Sequence, residues 1–138
     1  MTRGAKKKPF IGAVKPRIHT PLLKGASKID EVADLAEKIG MPLLPWQRFV
    51  LEDMLKVDKD GLFVRKTSLL LVARQNGKTH LARMRILAGL FLFGEKNIVA
   101  MSSNRNMALD TFRQVANTIE DNPFLKAQVR QIRYANGQ

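Results

Sequence analysis

The sequence predicts an α/β fold in which helices flank a parallel β-sheet. The first indication is the apolar run 69–72, which continues into Ala73 and is typical of a strand buried on both faces. After a polar break at 74–77, apolar residues recur at helical spacing, and a second apolar run, 97–101, is again followed by a helical pattern. This strand–helix–strand–helix order predicts right-handed crossovers between parallel strands.

A basic arm and two helices are predicted before the first strand. Residues 1–25 are rich in Lys, Pro and Gly, as in a flexible arm, so we place the folded domain at 26–138. Ser27 begins an S-x-x-D capping box that predicts the start of the first helix, and Gly40 suits its end. Pro45 suits the first turn of a second helix, which the polar turn VDKDG follows.

Two longer helices are predicted downstream, one after each strand. Gly94 suits the end of the third helix. Ser102 or Ser103 is the expected cap of the fourth helix, in which apolar residues recur at i, i+4, i+7 and i+11. The pair Asn122-Pro123 is expected to stop this helix.

The end of the chain predicts a further strand. Residues 129–138 alternate between polar and apolar and end on Asn136-Gly137, a strong signal for a β-hairpin. No residues remain for the second strand of that hairpin. We therefore interpret the chain as the front part of a longer protein, with a sheet that is incomplete at its C-terminus.

Charge predicts the kind of partner. The 138 residues include 24 Lys and Arg against 12 Asp and Glu, a formal net charge of +12, and residues 1–24 contain no acid. This asymmetry predicts a polyanionic partner such as DNA, with a solvated basic tail as the alternative. The absence of cysteine excludes disulfides and thiolate metal sites. No uninterrupted apolar stretch reaches the ~18 residues of a membrane span, so we expect no membrane partner.

The segment RQNGKT, residues 74–79, predicts a phosphate-binding loop. Its glycine, Gly77, allows close backbone approach to phosphates, Lys78 supplies a positive point charge, and Thr79 supplies a hydroxyl for Mg²⁺. The position between a predicted strand and a predicted helix is the context that such a loop requires. Val72 occupies the place of the first glycine of the consensus, however, so an incidental Gly-Lys-Thr at a helix start is the alternative.

Three further residues are candidate nucleotide contacts. Arg74 could lie against a γ-phosphate and offset the charge that develops during phosphoryl transfer, or it could be an ordinary exposed arginine. Trp46 and Gln47 place an aromatic face beside an amide, which suits adenine by stacking and paired hydrogen bonds. Core packing is the alternative for the tryptophan.

Three segments together resemble the ATPase domain of terminase large subunits, the DNA-packaging motor proteins of tailed double-stranded-DNA phages. They are PWQRFVLEDML, ARQNGKTHLA and VAMSSNRNMALDTFRQV, and the resemblance covers roughly residues 40–138. The family's phosphate loop typically lacks the first glycine and carries an early arginine, as Val72 and Arg74 do here. The resemblance implies a P-loop NTPase fold of the ASCE/RecA-like type, with a parallel sheet and flanking helices.

The resemblance also implies roles for individual residues. Lys78 and Arg74 are the candidate catalytic residues, and Thr79 is the candidate metal ligand. Ser102 and Ser103 fall where related motors contact DNA or relay the nucleotide state. The candidate ATP-binding residues are Trp46, Gln47, Arg74, Gln75, Asn76, Gly77, Lys78 and Thr79.

The implied function is ATP hydrolysis that drives viral double-stranded DNA into the procapsid, with ATP and Mg²⁺ as cofactors. The implied partners are DNA, the portal protein and the terminase small subunit. The intact protein would form a homo-oligomeric ring in the host cytoplasm, transiently docked on the procapsid. The family's Walker B carboxylates and nuclease domain would lie past Gln138. We therefore expect no efficient ATP turnover by these 138 residues alone.

Three other functions remain open from the sequence. A superfamily 2 helicase-like ATPase would share the phosphate loop, and the sequence downstream would distinguish it by a second motor domain. A non-catalytic basic nucleic-acid-binding protein would carry a vestigial loop. A P-loop kinase for a small metabolite is disfavoured by the basic charge and by the Trp46-Gln47 segment.

Overall fold

The computed structural model describes residues 12–134 and is helical. Within this range helix accounts for 45% of the residues and strand for 3%, and there is no sheet. Two isolated antiparallel bridges, Ser27 to Lys56 and Val57 to Phe63, make up the strand. The helices are α1 (Ile29–Lys38), α2 (Pro45–Met54), α3 (Lys78–Phe91), α4 (Arg105–Asp121) and α5 (Pro123–Lys126).

The predicted α/β fold with a parallel sheet is therefore wrong for residues 12–134. Both predicted strands, 69–73 and 97–101, are present as segments without strand pairing. Their side chains are not buried on two faces, since Leu69 and Leu71 are each 85% exposed and Met101 is 88% exposed. An apolar run supplies side chains for a strand, but a strand also needs a neighbouring backbone to accept and donate its hydrogen bonds. Within the described range no segment provides that neighbour.

Two predicted helix caps and the last predicted strand also differ from the structure. Lys28 is the N-cap of α1, and the Ser27 hydroxyl instead donates to the carbonyl oxygen of Glu52 at 2.7 Å. The cap of α4 is Asn104, whose side-chain oxygen accepts from the N–H of Met107 at 2.9 Å. No strand forms over 129–134. The hairpin signal at 136–137 lies outside the described residues.

Several predicted boundaries are confirmed. Helix α2 begins at Pro45, and α4 ends immediately before Asn122 and Pro123. Gly40 and Gly94 follow the ends of α1 and α3 with φ angles of 71° and 64°, in the left-handed region that favours glycine. These signals are local, so they hold whether or not a sheet is present.

The hydrophobic core lies around α3, which packs against α1 on one side and α4 on another. Helix α2 packs on α1, and the short α5 packs on the end of α4. Every helix contributes buried apolar side chains to this core; the most enclosed are Val32, Ala36, Leu51, Leu55, Met84, Leu87, Ala88 and Leu125. None of the helices within the described range combines the length and the hydrophobicity that a bilayer crossing requires.

A carboxylate on α2 fastens the segment that precedes α1. Asp53 accepts from the N–H of Leu23 at 2.7 Å and from Arg65 Nε at 2.9 Å. Burial by itself would raise the pKa of Asp53, but these two donors and the positive charges of Arg65 and Lys56 hold it below its ordinary value. The ionised form of Asp53 therefore favours the folded state.

Acidification is expected to remove this contribution to stability. Because the folded pKa of Asp53 is lowered, its contribution is complete above its ordinary pKa of 3.8 and is lost as the pH falls through the folded value. We expect Asp53→Asn to lower the free energy of unfolding by about 1 kcal/mol at pH 7. The difference from the wild type should shrink below pH 3.8 in urea unfolding curves. A difference that stays constant down to pH 2 would contradict this role.

Candidate phosphate-binding loop

The predicted phosphate loop is a tight turn that leads directly into α3. Gly77 is the N-cap of the helix and has a φ of 92°, and Gln75 has a φ of 60°. Both angles lie in the left-handed region, which a glycine adopts freely and which costs a residue with a side chain about 1 kcal/mol or more. The side-chain amide of Asn76 donates to the carbonyl oxygens of Ala73 at 3.3 Å and Arg74 at 3.1 Å, within the same turn.

The first turn of α3 presents backbone donors that no side chain caps. The first hydrogen bond of the helix runs from the N–H of Leu81 to the carbonyl of Gly77, at 3.2 Å. The N–H groups of residues 78–80 precede that bond, and the first turn contains no acidic residue. Together with the helix dipole, such uncapped donors favour an anion at this end of the helix.

The ammonium group of Lys78 lies over the loop. Its Nζ donates to the carbonyl oxygen of Val72 at 2.9 Å, which closes the turn from one end to the other. Val72, the departure from the consensus, therefore contributes its carbonyl to the loop. Because Lys78 is also the first residue of α3, a phosphate group bound at the helix N-terminus would be within reach of this positive charge.

The first turn of α2 reaches the same loop from 30 residues away. Gln47 has no exposed surface, and its Nε2 donates to the carbonyl oxygen of Gly77 at 2.9 Å. A Cβ atom at position 77 would lie 2.7 Å from that Nε2 and 3.7 Å from Trp46 Cζ2. The structure thus brings together Trp46, Gln47 and the loop, and a side chain at 77 would be strained and would push against the Gln47 amide.

The remaining predicted site residues lie at or beyond the edge of the loop. Arg74 and Thr79 are exposed, on the loop and on the first turn of α3. Ser102 and Ser103 are exposed in the segment before α4, where the Ser103 hydroxyl contacts the sulfur of Met107. Their role in DNA contact or relay remains a prediction.

The residues of the loop could hold a metal ion only together with a bound nucleotide. Between residues 12 and 134 no group of three or more His, Asp or Glu side chains could hold a metal ion. The Thr79 hydroxyl is the single protein ligand that the sequence predicts for Mg²⁺. The other ligands would have to be phosphate oxygens and water, as is common for Mg²⁺ bound with a nucleotide.

No pattern in the sequence indicates the polar cleft that lies beside α3. This cleft of about 370 Å³ lies between the end of α1 and α4 and is lined in part by Arg83, Gln114 and Asp121. Burial lowers the pKa of Arg83, and its Nε is buried without a hydrogen-bond partner. The pKa of His80 is lowered by burial first and then by the Arg83 guanidinium. Because its pKa is lowered, His80 is mainly neutral at pH 7. Lys78 is then the only cation in the first turn of α3.

Comparison with known proteins gives no match. No protein-family model matches the chain, and no curated protein or solved structure is detectably similar to it. The resemblance to terminases therefore depends on the residues of this chain alone.

Proposed function

We propose that this chain binds ATP through the loop 72–79 and is the ATP-binding part of a DNA-packaging motor of the terminase large-subunit type. The observation that carries the proposal is the uncapped N-terminus of α3, entered through left-handed Gly77 with the Lys78 ammonium over the loop. The parallel sheet no longer supports it, since the fold of residues 12–134 is helical. The support is the local geometry and the basic charge.

Each residue of the loop has a distinct part in this proposal. Backbone N–H groups of residues 78–80 bind the phosphate oxygens, while Lys78 leaves the carbonyl of Val72 to neutralise the β- and γ-phosphates. Thr79 would hold Mg²⁺, which supplies further neutralisation of the phosphate charge when bound. Arg74, which is exposed on the loop, would approach the γ-phosphate.

The remaining partners follow from the resemblance. The basic residues bind double-stranded DNA through its phosphates, and this binding should weaken steeply with salt. The portal protein, the terminase small subunit and a ring of identical subunits belong to the proposal as the setting in which ATP binding would drive DNA. That setting is the host cytoplasm, at the procapsid.

Replacement of the loop lysine tests the proposal. We expect Lys78→Ala to weaken binding of labelled ATP in the presence of Mg²⁺ by at least about tenfold, because a charge-assisted contact is lost. Lys126→Ala, on α5, removes the same charge from an exposed position and should leave ATP binding unchanged. Affinity for a DNA duplex should change little in both variants, since 23 of the 24 basic residues remain in each (24 − 1).

A wild-type protein that binds DNA but no ATP would contradict the proposal and would favour the non-catalytic binding module. Equal ATP affinity in the wild type and in Lys78→Ala would also contradict it, since the loop would then not be the site.

Turnover should be absent even though ATP binds. Residues 12–134 contain no group of three or more His, Asp or Glu side chains that could hold a metal ion, and the Walker B carboxylates that the resemblance implies would lie past Gln138. We therefore expect these 138 residues to release phosphate from ATP no faster than the Lys78→Ala variant does. Steady phosphate release that depends on Lys78 would contradict this expectation.

A further inference from the structure

The amide of Gln47 joins two backbone segments and is used at both ends. Its Oε1 accepts from the N–H of Leu44 at 2.8 Å, and its Nε2 donates to the carbonyl oxygen of Gly77 at 2.9 Å. The side chain has no exposed surface. One N–H and one lone pair of the amide are not used by these two bonds, but because the side chain is fully buried an adenine could reach them only by opening the packing around α2.

The hydrogen bond from Gln47 to the Gly77 carbonyl fixes the orientation of the peptide unit between Gly77 and Lys78, where the phosphate loop enters α3. The carbonyl of Gly77 and the N–H of Lys78 belong to one planar peptide unit, and in a trans unit they point in opposite directions. Gln47 Nε2 and the N–H of Leu81 both hold that carbonyl. The direction of the Lys78 N–H, one of the uncapped donors of α3, is thereby set as well.

The Gln47 amide packs closely against Gly77. A Cβ atom built on Gly77 would lie 2.7 Å from Gln47 Nε2, so the amide occupies the space that a side chain at 77 would need. A side chain at 77 would therefore compete with the amide for this space and for its bond to the Gly77 carbonyl.

We propose that Gln47 is a positioning residue for phosphate binding, which acts through the Gly77 carbonyl and makes no contact with the nucleotide base. This inference rests on the proposed function, since it concerns how the same loop binds triphosphate. It replaces adenine recognition as the role of Gln47. Trp46, half-buried beside Gly77, is then the remaining candidate for contact with the base.

A comparison of ligands with and without a base separates positioning of the loop from recognition of the base. We would measure the affinities of ATP, GTP and inorganic tripolyphosphate, each with Mg²⁺, for the 138-residue wild type and two variants. Gln47→Met removes both hydrogen bonds at similar length, and Gln47→Glu keeps an acceptor for Leu44 but loses the donor to Gly77. Gln128→Met is the control, because that amide makes one exposed bond, to the carbonyl of Phe124.

Both Gln47 variants should bind all three ligands more weakly by the same factor, about tenfold, and the ratio of ATP to GTP affinity should stay unchanged. The control should bind like the wild type. A changed ATP to GTP ratio with unchanged tripolyphosphate binding would overturn the inference and restore base recognition. Unchanged affinity for every ligand would also overturn it. If the wild type binds none of the three ligands, the proposed function itself fails.

A measurement on the wild type guards against variants that do not fold. The side-chain amide resonances of Gln47, observed by nuclear magnetic resonance with ¹⁵N labelling, should shift on addition of tripolyphosphate as much as on addition of ATP. A shift with ATP and none with tripolyphosphate would overturn the inference, since the amide would then respond to the base.

Discussion

Gly77→Ala is expected to lower the free energy of unfolding by about 2–4 kcal/mol and to abolish detectable nucleotide binding. Two costs add up here. An alanine at a φ of 92° is strained by about 1–3 kcal/mol, and its Cβ would lie 2.7 Å from the buried amide nitrogen of Gln47. Relief of that contact would break the bond between Gln47 and the Gly77 carbonyl, at a further cost of about 1 kcal/mol.

A second glycine, Gly61, separates the cost of the steric contact from the cost of the backbone strain. Gly61 has a φ of 77°, and a Cβ there would meet nothing within 4 Å, so Gly61→Ala carries the strain without the contact. Urea unfolding should show a larger loss for Gly77→Ala than for Gly61→Ala. Adding Gln47→Ala to Gly77→Ala should remove the clash but leave the strain. Equal losses for the two glycine variants would contradict the close approach at Gly77.

Leu87→Ala is expected to lower the free energy of unfolding by about 2–5 kcal/mol. Leu87 lies on α3 with no exposed surface, at the centre of the core, so the substitution leaves a cavity. Leu71→Ala is the matched comparison, because Leu71 is 85% exposed. This substitution should lower the free energy of unfolding by less than about 0.5 kcal/mol. Urea unfolding curves of the two variants provide the measurement.

This comparison also tests the correction to the fold. A strand buried on both faces would make Leu71 as costly to truncate as Leu87. Similar losses for both leucines would therefore contradict the helical structure and favour a buried strand at 69–73.

The helices were predictable where their signals are local. Pro45 marked the first turn of α2, and Asn122-Pro123 marked the end of α4, because each depends on the geometry of a few successive residues. The strands were not predictable in this way. Leu69 and Leu71 have the composition of a buried strand, but whether a backbone lies beside them is decided by distant parts of the chain.

The candidate site likewise combines a local pattern, which the sequence indicates, with a long-range contact, which it does not. The position of the loop between residues 72 and 79 followed from Gly77-Lys78-Thr79, which is a local pattern. The contact between Gln47 and the Gly77 carbonyl joins residues 30 positions apart, and no periodicity indicates it. The sequence therefore grouped Gln47 with the loop, and the structure brings the two together; the contact with the base that the sequence suggested is disfavoured by the burial of the amide and its two backbone bonds.

The most direct test is a crystal structure of the chain with Mg²⁺ and a non-hydrolysable ATP analogue. The account predicts phosphate oxygens within hydrogen-bonding distance of the N–H groups of residues 78–80. It also predicts that Lys78 Nζ has moved from the carbonyl of Val72 onto the β- and γ-phosphates. An analogue bound elsewhere, with the bond between Lys78 and Val72 intact, would contradict it.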